Sequence, residues 1–328
     1  MGENVRVEPG DVLLFHGNSF LSWAIRLFDN TDVNHAALAL DETTLAEAAA
    51  RGLRRAPLAA AVATNDYMTV RRYPNADLAS VIGTAGGWVD RRSPYAYQQI
   101  VLLGLLAATR AIPVGGFGRR MLRSILDHAA AALNAFVDVD GHRSMICSEF
   151  VYRSFSEAPS DPRERFRLLI KSGDIAFDGT ENSLAEWGAD QPDERYETAL
   201  NQPVSFGVPT VPPEDADMVA EAELAPLIVA WAEENGLADD DMPPAPPPSF
   251  DLGADPTDEE LLASLVEFST AFAGDSDQTS FGVGTAIGIA AARGAVRGLL
   301  RPAIEANFVT PGDLLKSPTL IDVGRMSH

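Results

Sequence analysis

Residues 239–257 read DDDMPPAPPPSFDLGADPT, a run too rich in proline and aspartate to bury the apolar surface that ordering it requires. Any fold for this 328-residue chain must therefore build its core, or cores, around that interruption. A chain of this length is expected to form one large domain with an insertion, or two domains. The remainder is ordinary globular material, since the chain as a whole is 46% hydrophobic and 22% charged.

The formal net charge of −22 speaks against a nucleic-acid surface, where phosphates demand clustered Lys and Arg, and against an anionic membrane face. Much of the acid lies in 214–260, whereas 51–55 (RGLRR), 71–72, 91–92, 119–123 and 163–167 are locally basic. A single cysteine, Cys147, permits neither an intrachain disulfide nor a thiolate zinc site. No metal or cofactor is expected, and the chain fits a reducing compartment. The N-terminal MGENVRVEPGDVLLF carries no basic-then-apolar secretory pattern, and Arg6 stands where myristoylation wants Ser or Thr. Of the apolar stretches, 100–108 is too short to span a bilayer and 281–300 is broken by Arg293 and Arg297. The expectation is a cytoplasmic protein with no integral membrane segment.

Along the chain, PGDVLLFH (9–16) reads as a turn and a buried strand, and SFLSWAIRLFD (19–29) as a helix behind Ser19 as N-cap. A second strand follows at 34–40 (NHAALAL) and a third at 44–50, although Ala and Leu there also suit a helix. Residues 66–73 alternate as a further strand. Helical spacing runs over 76–111, restarting at Ser93-Pro94, and again over 119–135, 144–157, 216–235, 257–273 and 281–306. Residues 161–171 read as a charged helix.

Cys147 falls in the first turn of the 144–157 helix, where a helix N-terminus favours a thiolate; a lone cysteine is also commonly an inert buried thiol. Five histidines compete to be its partner: His16, His35, His128, His142 and His328. His35 opens an apolar strand that could hold an imidazole rigidly, and His16 closes the first strand where it could line a cleft. Glu47, on the next strand, is spaced to reach His35 across a short turn and to orient its ring, or is simply a solvated strand residue. The glycines at 115, 116 and 118 lack the strand-loop-helix setting of a phosphate loop.

Taken in order, GDVLLF (10–15), NHAALAL (34–40), AEAAARGL (46–53), PYAY (94–97) and ICSEFVYRSF (146–155) resemble the YiiX/YaeF-like circularly permuted papain-like hydrolases. These belong to the NlpC-type superfamily, with lecithin:retinol acyltransferase as a relative. TPGDLLKSP (310–318) resembles the end of such domains. The likeness covers about 1–157 and 305–325, and His before Cys marks the permutation. Asn34 stands where Ser is usual, Leu53 where Val is usual, and Phe150 where Leu is commoner. The resemblance implies Cys147 as nucleophile, His35 as general base and acid, Glu47 as the orienting acid, and Tyr95 or Tyr97 as an oxyanion donor.

The resulting expectation is an α+β, permuted papain-like fold: a small antiparallel sheet or open barrel packed on helices. Residues 1–157 form the catalytic domain, 158–304 a mainly helical insertion containing the 239–257 linker, and 305–328 a segment returning to the catalytic domain. The implied activity is a cysteine hydrolase cleaving an amide, ester or thioester of a small-molecule, peptide or acylated, lipid-like partner. The alternatives are an NlpC-type peptidoglycan peptide hydrolase and a non-catalytic interaction module on a hydrolase scaffold. Limited proteolysis should nick 239–257 while the C-terminal piece stays bound; its release would remove 305–328 from the catalytic domain.

Overall fold

The computed structural model describes residues 5–49, 52–90, 99–113, 117–135, 146–162, 165–170, 182–202, 215–238, 241–244, 255–273, 286–300 and 309–327. They fall into two compact units. The first comprises Met1–Tyr97, Ser144–Gly173 and Pro302–His328, and the second Gln98–Arg143 and Asp174–Arg301.

The first unit holds β1 (Val12–His16), α1 (Phe20–Asp29), β2 (His35–Ala39), β3 (Thr44–Ala49), β4 (Gly52–Pro57), α2 (Leu58–Ala63), β5 (Tyr67–Arg72) and α3 (Ala79–Asp90). The second holds α4 (Gln99–Thr109) and α5 (Gly118–Ala135), and α6 (Cys147–Ser156) returns to the first. After it come α7 (Leu184–Ala189), α8 (Asp193–Leu200), α9 (Ala216–Glu234), α10 (Asp258–Ala273) and α11 (Ala286–Gly298) of the second unit. Last are α12 (Pro311–Leu315) and β6 (Ile321–Ser327) of the first.

The six strands make one open antiparallel sheet in the order β4-β3-β2-β1-β5-β6. β1 sits inside it and reads as a continuous apolar run, because both its faces are covered. One face gathers Leu13, Phe15, Ala37, Ala39, Leu45, Met68 and Val70 with Val7 and Leu58. α1 starts where Ser19 accepts from the Ser22 N–H and stops at Asn30, which turns left-handed at φ 45°. α3 and α6 pack on each other and on β2 and β3.

The C-terminal segment is fastened to the end of α1 by buried polar contacts. Asp29, 1% exposed, accepts from Thr310 Oγ1 at 3.0 Å and from the Gly312 N–H at 2.9 Å. A Cβ on Gly312 would lie 2.5 Å from Asp29 Oδ2, so only glycine allows the approach. β6 then pairs with β5, setting Val70 opposite Gly324.

In the second unit α5 packs against α4, α9 and α10. α4 is buried from Ile100 to Ala108, as expected of a helix apolar on all sides. Its N-terminus is capped by Asp217, which accepts from the Gln99 and Ile100 N–H groups at 3.0 Å each. Burial pushes the Asp217 carboxyl up to about 6 even so, against the pull of those two bonds.

By their contacts, α4 and α5 group with the second unit, and 158–162 and 165–170 with the first. An apolar helix declares that it is buried, not which core buries it. The charged helix expected over 161–171 is absent among its described residues. That backbone is engaged elsewhere: the Leu169 N–H donates to Thr319 Oγ1 at 3.2 Å and its carbonyl accepts from Ser317 Oγ at 2.9 Å. Of the 281–306 helix, α11 forms 286–298 and 299–300 are turn. The 239–257 linker lies mostly outside the described residues.

Asp29→Ala leaves two buried donors without their anion and should cost about 2–4 kcal/mol. The loss is read as a lower urea midpoint together with reduced amide-exchange protection along β6.

Candidate active site

α6 begins at Cys147 because Ile146 is still extended (φ −77°, ψ 159°), while Phe150, Val151 and Phe155 bury its apolar stripe. Ile146 has no side-chain group to cap the helix, so the first-turn N–H groups beside Cys147 are not taken up by the N-cap. The next residue anchors the helix, and the one after it pairs within it. Ser148 Oγ donates to the Val309 carbonyl at 2.6 Å, and Glu149 accepts from Arg153 Nε at 2.9 Å.

His35 is the first residue of β2, and the residue before it fixes that strand end. Asn34, 1% exposed, accepts from the Gly17 N–H at 2.7 Å and donates to Ser22 Oγ at 2.9 Å. A Cβ on Gly17 would come within 2.8 Å of Ser22 Oγ and 3.2 Å of Asn34 Oδ1, which would break this bridge. The Asn34 amide thus reaches two partners at once. The Phe15 ring lies 5.7 Å from the imidazole and packs beside it.

Glu47 arrives by strand register. The β2–β3 turn is set by Asp41, whose Oδ1 accepts from the Thr43 and Thr44 N–H groups at 2.8 Å each. That turn places Ala37 opposite Glu47, and period-two alternation puts Glu47 on the same face as His35. His35 Nε2 and Glu47 Oε2 are 2.9 Å apart. A carboxylate only accepts, so Nε2 carries the hydrogen. The Cys147 sulfur interacts electrostatically with the ring and favours its protonated form. With Nε2 committed to Glu47, Nδ1 is the nitrogen left for sulfur.

These contacts set the charges. Burial disfavours the imidazolium, but the Cys147 sulfur and then Glu47 outweigh it and raise His35 from 6.5 to about 10. Burial likewise pushes Glu47 up, yet His35 and then Arg54 hold it down at about 2. Arg54 was not singled out in the sequence. It sits opposite Glu47 on β4, and its Nε and Nη2 donate to Glu47 Oε1 at 2.9 and 2.7 Å. The available signal was the basic RGLRR run one hairpin after Glu47.

The structure brings together Cys147, His35 and Glu47. It does not bring His16 to them: one residue beyond Phe15, it turns to the opposite face, where Nδ1 meets the Asp32 carbonyl at 2.7 Å and Tyr67 packs at 4.5 Å. His128 belongs to the second unit and bonds Glu223 at 2.9 Å. Tyr95, Tyr97, His142 and His328 lie outside the described residues. Among the described residues no group of three His, Cys, Asp or Glu side chains gathers to hold a metal ion, and no helix is long and apolar enough to cross a membrane.

The chain is 27% identical over 154 residues to the probable lipoprotein peptidase YaeF of Escherichia coli strain K12. The match takes in 46% of this chain and 56% of the relative, so the chain spans about half the length of that curated protein. No protein-family model and no solved structure matches it.

Labelled His35 should titrate near pH 10 by NMR, well above its ordinary 6.5. Cys147→Ala and Glu47→Gln each remove an interaction that favours the protonated ring, so each lowers the midpoint. The double substitution leaves burial as the dominant influence and should bring it below 6.5. An unmoved midpoint in Glu47→Gln would deny the 2.9 Å contact any electrostatic weight.

Proposed function

We propose that the chain is a cysteine-dependent hydrolase of permuted papain-like arrangement, with Cys147 as nucleophile, His35 as general acid and base, and Glu47 orienting the ring. What supports this reading is the buried imidazole that meets the Glu47 carboxylate at 2.9 Å and feels the charge of the Cys147 sulfur. The thiolate adds to an acyl carbonyl, and the developing oxyanion meets the Cys147 N–H at the start of α6. Tyr95 or Tyr97 is the candidate second donor. The imidazolium then protonates the leaving amine, alcohol or thiol, leaving an acyl-enzyme. Neutral His35 takes a proton from water, the resulting hydroxide attacks the thioester, and the acid departs.

The proposed substrates are amides, esters or thioesters of peptide or acylated, lipid-like molecules. The relative's name, probable lipoprotein peptidase, favours peptide amides as the first to try. Muropeptides test the narrower peptidoglycan version of that reading.

Exposing the full chain to p-nitrophenyl esters of increasing acyl length and to acyl peptides, then weighing it intact, should reveal a covalent acyl adduct on Cys147. Cys147→Ala should abolish the adduct, and His35→Ala should slow its formation about 10²–10⁴-fold. Labelling of His35→Ala at the wild-type rate would sink the assignment.

A further inference from the structure

Glu47 divides its two oxygens between two cations. Oε2 receives His35 Nε2 at 2.9 Å, and Oε1 receives the Arg54 fork at 2.9 and 2.7 Å. The Glu47 side chain is only 9% exposed, whereas that of Arg54 is 62% exposed. An exposed arginine is usually a weak partner, but this one serves an anion that has left water.

We infer that Arg54 is a positioning residue: it keeps Glu47 a carboxylate, with Oε2 held on His35, in the half of the reaction during which His35 is neutral. This rests on the hydrolase reading above. In acylation the sulfur–carbon bond forms, the bond from carbonyl carbon to leaving group breaks, and the leaving group takes the Nδ1 proton. His35 is then neutral, and Glu47 has lost one of its two counter-charges while still buried. A proton captured by Glu47 at this stage would make it a donor to Nε2. The ring hydrogen would then sit on Nδ1, the tautomer that cannot accept a proton from water. The Arg54 guanidinium, whose fork sits on Oε1, opposes that capture. Its fork also fixes the carboxylate plane, so that Oε2 remains turned toward Nε2.

The test separates the two half-reactions in the full chain, using p-nitrophenyl acetate as probe. Release of p-nitrophenolate reports acylation, and the decay of rapidly desalted acetyl-enzyme, followed by intact mass, reports deacylation. Arg54→Met should slow deacylation about tenfold and acylation much less, and should move the acid limb of deacylation to higher pH. Arg54→Lys, which returns the charge without the fork, should recover part of the rate. Added salt should slow wild-type deacylation more than that of Arg54→Met. Equal slowing of both steps, no slowing of either, or no recovery with lysine would each overturn the role of Arg54 while leaving the hydrolase reading intact. A wild type that forms no acetyl-enzyme on Cys147 overturns both.

Discussion

Glu47 has been taken out of water, and a carboxylate in that position must find its compensating charge within reach. It finds two cations, and both are delivered by strand register: His35 diagonally from β2, Arg54 directly opposite on β4. A slip of one residue in either pairing would turn one partner to the other face and leave a buried anion half compensated. The Asp41 turn and the Asn34–Gly17 bridge serve this end, since they fix where β2 starts and how it meets β3. The site is therefore a property of the β2–β3–β4 ladder, into which α6 delivers one further group.

That delivery also has identifiable causes. The apolar stripe of α6 sets its rotation, Ser148 ties it to the Val309 carbonyl, and Glu149 pairs with Arg153 one turn on within the helix. The residues following Cys147 are thus accounted for by support. None of them needs to touch a reacting atom to matter.

Much of this was legible because it was written in periodicity. The apolar run of β1, the Ser19 cap and the spacing that puts Cys147 in the first turn of α6 are each local signals, and the structure agrees at each. β3 is ambiguous in the sequence, since its alanines suit either a helix or a covered sheet. β4 was missed: it is a half-exposed edge strand carrying Gly52, Arg54, Arg55 and Pro57, with no apolar alternation to announce it. Losing β4 meant losing Arg54, because a charge partner across a hairpin is visible only once the register is known. The division into two units was illegible for a related reason. α4 is apolar on every side, so its pattern cannot name a neighbour.

The place of β6 has a consequence for the order in which the molecule can be completed. Its partner β5 is made before the second unit, while β6 follows that unit in the chain. During synthesis on the ribosome the outer edge of β5 therefore waits, its N–H and C=O groups unpaired, until all of the helical unit has emerged. The Asp29 contacts to Thr310 and Gly312 wait with it. A nascent chain of this kind offers other chains a bare strand edge for most of its time of manufacture.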